Sequence, residues 1–536
     1  MRISLPFKYH RWIYLLFLLL LAAGLPLSKF FLSVSLFGLA GNWLWEMDFG
    51  YKWERFRKNP AILLLMAFFL LHVVALLYTD SANMKEGMRD LRIKLPLFLL
   101  PLLIGTSRSL ERKEFYAVLV VFILAVFASS VNTALRAAGL VGHQVYDLRD
   151  ASTQVSLIRL GLMSALCIFI SVYFIFRAGW PLYARLMAVL VSAWFVAFML
   201  YMQALTGIVV LLIVSFLLIC SYAIIAKNRK RILLLLVLFL GFGGGVIAYV
   251  YNVYNTYYRQ VEFLTWWKLE TKTPRGGTYI HYPYDFMLEN GHEVMLYVCW
   301  EELEEAWGKR SKLPLFVEGV KRNQHAYVLV RYLASRNLRK DADGVRALRD
   351  DEIRAIENGV TNYRFAEMSG MERRIYQVIW ETDHYLHSAD PSDHSIPMRM
   401  ELWKASLAII GQNPVFGVGT GDMPAALARQ HEAAHSKLAK EWRTLHPHNQ
   451  FLSLAIQLGI FGAAFFLFTL IWPGIKAKRF RNYFYLAFFF ILLVSFLNED
   501  TIETQQGVMF YAFFNVFFLF AQPADPQNQP ESNPEK

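Results

Sequence analysis

His446–Gly462 reads HPHNQFLSLAIQLGIFG, a histidine-bearing polar step that runs without a break into an apolar helix. Such a step marks a long extramembrane segment meeting a membrane span: Leu, Ile and Phe suit hydrocarbon, while imidazoles and an amide belong at its water boundary. Around it, the 536-residue chain is 56% hydrophobic and 16% aromatic, a balance that a soluble protein of this length could not keep dispersed. Apolar runs near the length that crosses a roughly 30 Å hydrocarbon core recur at 11–27, 30–47, 60–78, 91–107, 115–135, 155–176, 184–204, 206–226, 232–251, 449–472, 483–498 and 506–521. The pattern predicts an all-α polytopic integral membrane protein with about twelve spans and a retained, uncleaved N-terminus.

An even span count puts both termini on one side. The basic stretches MRISLPFKYHR, YKWERFR, SRSLERK, AKNRKR and KAKRFR fall on alternating faces, and the positive-inside rule makes theirs the cytoplasmic one. Topology thus accounts for the net charge of +12, and no nucleic-acid partner is needed. With only three cysteines, Cys167 and Cys220 inside spans and Cys299 outside them, a disulfide framework is excluded.

One long polar insertion separates the ninth span from the tenth. The expected organisation is a membrane domain at 1–251, a mainly helical periplasmic loop domain at 252–447, a second membrane domain at 448–521 and a disordered cytoplasmic tail at 522–536, which is Pro- and Asn-rich. In the loop, EELEEAWGKR and DDEIRAIENG have helical spacing, whereas TKTPRGGTYIHYPY reads as turns and short extended pieces. Gly241–Gly245, GFGGG, lies in the ninth span, where small residues favour close helix packing over phosphate binding.

Several motifs could carry chemistry. His431-Glu432-Ala433-Ala434-His435 matches H-E-x-x-H, which sets two zinc-binding imidazoles one helical turn apart with a glutamate as base. The match is short, lies in an Ala/Lys-rich solvated stretch and lacks an evident third ligand, so neither a metal nor another cofactor is expected. Gly417-Val418-Gly419-Thr420-Gly421-Asp422 resembles a phosphate loop, but no strand precedes it; a tight turn using positive φ, with Asp422 capping the next helix, is the simpler reading, and direct substrate contact by Asp422 is the other.

Cations near the outer face break the positive-inside bias and so are candidates for an anion site: Arg89, Arg92 and Lys94 at the fourth span, Arg159 in the sixth, and Arg399 at the head of an amphipathic helix. Carboxylates answer them in Asn498-Glu499-Asp500-Thr501-Ile502-Glu503, between the last two spans, as a solvated turn or as groups that orient His or Arg.

These residues reach a resemblance to the O-antigen ligase and polymerase superfamily of bacterial envelope glycosyltransferases. Ser156-Leu157-Ile158-Arg159 looks like the family's Arg-bearing sixth span. Arg399-Met400-Glu401-Leu402-Trp403 with Asn413-Pro414-Val415-Phe416-Gly417-Val418-Gly419 resembles its R-x-x-x-W…NP-x-F-G-x-G signature, and His448-Asn449-Gln450-Phe451-Leu452 with Gly459 and Gly462 its HN-x-x-L…G-x-x-G. Glu503-Thr504-Gln505-Gln506-Gly507, together with loop segments at Leu338–Asp341 and Ile353–Gly359, is similar to Bacteroidetes-type members. One departure stands out: where the family often has an arginine in an S-R-T-G-like turn, this chain has Leu205 in Ala204-Leu205-Thr206-Gly207, and Arg159, Arg92 or Lys94 is left to supply that charge.

The resemblance implies a GT-C-like fold in the bacterial inner membrane, with transfer of a glycan from undecaprenyl diphosphate to an acceptor hydroxyl, typically on lipid A-core, at the periplasmic face. On that reading His448 is the general base and Arg399 the first choice for neutralising the diphosphate. Arg159, Arg92, Lys94, Arg89, Asn449, His446, Asp422 and Glu503 are the substrate-binding set. Polymerisation of lipid-linked repeats is the near alternative; a zinc metalloprotease and a lipid-linked glycan transporter are the distant ones.

Overall fold

The computed structural model describes residues 7–142, 148–177, 179–225, 229–259, 268–282, 287–316, 324–388, 391–392 and 394–523. Residues 1–6 of the basic flank, 226–228 of AKNRKR and 524–536 of the tail lie outside the described residues. Helix dominates; among the described residues the only sheet is a two-stranded hairpin, Leu288–Glu289 with His292–Glu293.

Among the described residues, seven helices are long and apolar enough to cross a membrane: Lys8–Leu27, Arg112–Ala137, Leu157–Phe176, Leu182–Tyr201, Leu205–Ile224, Arg229–Tyr258 and Gln450–Lys476. An eighth results if Phe49–Lys58 and Pro60–Leu76, bent by 87°, form one broken span. The protein is therefore an all-α, multi-pass membrane protein. The expected runs at 30–47, 483–498 and 506–521 fold as shorter apolar helices, Lys29–Trp45, Tyr483–Asn498 and Gln505–Ala521. The expected span at 91–107 is divided into an amphipathic helix, Met84–Lys94, and an apolar one, Pro96–Thr106. Pro96, without an N–H to bond backwards, suits the first position of a new helix better than the interior of a long one.

The chain forms two compact units. The first comprises Met1–Ile232, Leu402–His435 and Lys440–Lys536. In it Phe7–Leu27 packs on Lys29–Trp45 and Arg112–Ala137, Leu157–Phe176 packs on Leu182–Tyr201, and Gln450–Lys476 packs on Pro60–Leu76. At its centre the last helix is buried on every face from Gln506 to Ala521, and Phe514 and Phe518 meet Phe488 there, as expected of a helix apolar all round.

The second unit comprises Leu233–Glu401 and Ser436–Ala439. Trp300–Gly308 and Asp350–Glu357 are helices, as their spacing predicts, and with Gln324–Ser335 and Gly370–Ser388 they enclose Trp307, Leu333, Ile356 and Tyr376. Inside lies a buried charge, Glu289, which Arg331 pairs and to which Asn362 Nδ2 (2.8 Å) and Tyr376 OH (2.6 Å) donate, so its desolvation is met by a full set of donors. The glycines of GFGGG do not pack closely: among the described residues a Cβ at Gly241, Gly243, Gly244 or Gly245 meets nothing within 4 Å. The helix there leaves that surface open, which corrects the packing expectation.

Candidate functional site

The helix Gln450–Lys476 is interrupted at Gly459, whose φ of 72° and ψ of 179° no helical residue adopts. A break orphans carbonyls on one side and N–H groups on the other, which is costly in a helix that must satisfy its backbone without water. The Asn413–Asp422 segment satisfies them. Val418 N–H donates to Ile456 O (2.8 Å), Gly419 N–H to Gln457 O (3.0 Å), and Ile460 N–H reaches Pro414 O (2.8 Å). Glycine is required on both sides of this contact: a Cβ on Gly459 would stand 2.0 Å from Val415 O, and one on Gly417, at φ 70°, 2.5 Å from Ile456 O.

The glycine segment is also tied to the 72–83 region. Thr420 Oγ1 donates to His72 O (3.0 Å), Thr79 Oγ1 to Thr420 O (2.6 Å) and Tyr78 OH to Phe416 O (2.8 Å). Asp422 does not use its side chain to cap the helix Met423–Ala433, as the sequence suggested. Its carboxylate instead accepts from Asp80 N–H (3.0 Å) and Asn83 Nδ2 (2.7 Å), so Asp422 serves as a clamp between two distant segments.

Beside the break lies a buried charge network. Lys94 Nζ donates to Asp90 Oδ2 (2.7 Å), Glu503 Oε2 (2.8 Å) and Gln457 Oε1 (3.3 Å), and Gln450 Nε2 donates to Glu503 Oε1 (2.8 Å). Gln450 Oε1 in turn accepts the Ile502 N–H at 2.8 Å. The three ammonium donors are thus all used, and Lys94 and Glu503, both expected to contact substrate, bind each other.

The histidine step sits on the same carboxylate loop. Asp500 accepts from the backbone N–H of His448 (2.6 Å) and Asn449 (3.1 Å) and from Ser453 Oγ (2.5 Å). Asn449 caps the helix, its Oδ1 accepting from Phe451 N–H (3.0 Å) and Leu452 N–H (3.1 Å). His448 has φ 52°, and its Nδ1 lies 3.6 Å from Glu499 Oε2. Trp403 Nε1 donates to Pro447 O (2.7 Å), joining the R-x-x-x-W helix to the step. Among the described residues, the buried His446 Nδ1 has no hydrogen-bond partner. Burial pushes the Asp500 carboxyl above the usual carboxylate range.

The cations diverge in their surroundings. Arg89 is exposed and paired with Glu86 (3.0 Å). Arg92 is exposed and, among the described residues, has no ion-pair or hydrogen-bond partner. Arg159 donates through Nη1 to Ser156 Oγ (3.1 Å), and the carboxylates of Glu499 and Asp500 act on it electrostatically. Leu205 opens its helix, and Gly207, two residues on, abuts Gly161, two residues after Arg159: a Cβ on Gly161 would stand 3.3 Å from Gly207 Cα. Arg399 lies in the second unit, with Nη1 on Ser395 Oγ (2.9 Å).

The H-E-x-x-H pattern is not realised as a ligand pair. Its helix ends at Ala433, His435 follows at φ 47° and is exposed, and His431 is buried, so the two imidazoles do not share a helical face. Sequence reasoning missed Asp90, Gln450, Gln457 and Ser453. A signal was present: Asp90 precedes Lys94 by one helical turn, and Gln450, Ser453 and Gln457 recur at helical spacing within an otherwise apolar helix.

Fold and site together define a multi-pass helical membrane protein with a polar centre built around a broken helix. Residues 358–467 match the model of the family described as O-Antigen ligase, which supports the O-antigen ligase superfamily and a function of the ligase or polymerase type. The match contains Arg399, the glycine segment, the His448-Asn449 step and the break at Gly459. No curated protein matches the chain.

Proposed function

We propose that the chain is an O-antigen ligase-like glycosyltransferase of the bacterial inner membrane, with about twelve spans, cytoplasmic termini and a site facing the periplasm. It moves a glycan from undecaprenyl diphosphate to an acceptor hydroxyl of lipid A-core. The observation that carries this reading is the pairing of His448 Nδ1 with Glu499 Oε2 at 3.6 Å beside the family-matched broken helix.

In that geometry Glu499 favours the tautomer with a proton on Nδ1, leaving Nε2 as the acceptor for the hydroxyl proton. The acceptor oxygen attacks the anomeric carbon, the bond from that carbon to the diphosphate oxygen breaks, and the sugar inverts. The leaving diphosphate gains negative charge, which fixed guanidinium groups stabilise. Arg92 and Arg159 suit this task because neither is held by a carboxylate within ion-pair distance among the described residues. Lys94 is already committed to Asp90 and Glu503, which favours a role in holding the carboxylate loop. Arg159, close to the turn that bears Leu205, supplies the charge that relatives place in that turn.

The test is product identity. Purified protein with undecaprenyl-diphosphate-linked oligosaccharide and lipid A-core is expected to give glycosylated lipid A-core. A ladder retained on undecaprenyl diphosphate would instead establish a polymerase.

A further inference from the structure

The second unit contains a pocket of about 250 Å³ that the transfer chemistry above does not use. Its walls come from the hairpin and the strand-like segment after it, with His292, Glu293 and Tyr297, and from the end of the 324–335 helix and its following turn, with Asn337, Arg339 and Lys340. Two of these, Tyr297 and Asn337, hold φ at 55°, and for a bulky aromatic residue that conformation is an outlier. Such strain persists where the surroundings over-determine it, and it concentrates at ligand sites. Here Lys340 N–H on Tyr297 O (3.1 Å) and Cys299 N–H on Lys340 O (2.8 Å) lock the two walls together.

The chemical anomaly is Lys340. It is 4% exposed, and its ammonium makes one hydrogen bond, to the backbone carbonyl of Glu293 at 2.8 Å. An ammonium carries three donors, so two remain. Among the described residues no carboxylate lies within ion-pair distance of it. Asp341 is occupied by Tyr279 OH and by Gly344 N–H (2.8 Å), and Glu293 acts on Lys340 only at longer range. Arg339 adds a second positive charge, its guanidinium stacked 3.3 Å over the Tyr297 ring centroid and bonded to Glu270 Oε1 at 3.0 Å. Burial first, and Arg339 second, push the Lys340 ammonium down to about 7. A buried cation with no carboxylate in ion-pair contact among the described residues, at the wall of a pocket, is a group that an incoming anion would stabilise.

We infer that this pocket binds a sugar bearing a carboxylate or phosphate, with the anionic group on Lys340 and the ring among Asn337, His292 and Arg339. The volume exceeds that of a bare oxyanion and accommodates about one sugar ring. The anion follows from Lys340 alone; the choice of a sugar as its carrier rests on the proposed glycan chemistry.

Calorimetry on the full-length protein in detergent tests this with D-glucuronate, glucose as its neutral counterpart, and inorganic phosphate as competitor. Glucuronate should bind saturably and at least tenfold tighter than glucose. Because Lys340 is only partly protonated near pH 7, binding should take up protons, seen as a heat that varies with the buffer's ionisation enthalpy. Lys340→Met should abolish the preference, and Arg339→Gln, at a half-exposed position, should weaken it. Competition by phosphate points to a phosphate-sized oxyanion, and its absence to the uronate carboxylate. Equal affinity for glucose and glucuronate would overturn the proposal, as would a preference unchanged in both variants or binding without proton uptake. Since transfer is not the readout, such a failure would leave the glycosyltransferase reading untouched.

Discussion

Lys94 Nζ lies 2.8 Å from Glu503 Oε2 with both side chains buried, joining a helix near the start of the chain to the loop before its last helix. Breaking one side of a buried pair leaves an uncompensated charge, at a cost of about 3–5 kcal/mol. Lys94→Met should therefore lower the thermal midpoint in detergent sharply. Adding Glu503→Gln should restore part of the loss, and a double-mutant cycle in which the two losses simply add would show that the pair is not coupled.

The break at Gly459 gives a second prediction. Gly459→Ala places a methyl 2.0 Å from Val415 O at φ 72°, so it should fail to fold or lose transfer entirely. Gly411→Ala, in the helix Ser395–Gln412 with nothing within 4 Å of the added carbon, should be neutral or stabilising by about 0.4–1 kcal/mol. Folded yield and melting of the two proteins, side by side, check the contrast.

At the histidine step, Asn449→Ala removes the cap from two N–H groups and should cost about 1 kcal/mol, while Asn449→Ser should retain most of the stability. Equal melting of the alanine and serine variants would show that the cap contributes nothing.

Lys340 sets a pH dependence in the second unit. Its folded value of about 7 lies below the ordinary lysine value, so between the two the unfolded chain binds more protons than the folded one. Stability should therefore rise with pH through this window and be lost as pH falls through about 7. Hydrogen exchange of the peptide backbone around 294–300 and 338–346 should slow, after correction for intrinsic rates, from pH 6.5 to 8.5. Lys340→Met should flatten the trend.

Much of this was legible in the sequence, and what was not has a physical reason. Helices at 112–137, 157–176 and 450–476 follow from long apolar runs, because burial in lipid reads composition directly. Pro96 broke an expected span because one missing N–H outweighs several apolar neighbours. The role of Gly417, Gly419 and Gly459 as two halves of one backbone contact was invisible, since hydrogen bonds between residues some forty positions apart leave no periodicity. Lys94 read as an open cation for the same reason: its partner Glu503 is brought to it only by packing.

The central claim is that His448, held beside Glu499 at the broken helix, is the base in glycan transfer. The most direct measurement is the single-turnover rate of transfer from undecaprenyl-diphosphate-linked oligosaccharide to lipid A-core by wild-type protein and by His448→Ala of matched melting temperature. The account predicts product with the wild type and a loss of about 10²–10⁴-fold in the variant. Transfer by His448→Ala at the wild-type rate would contradict it.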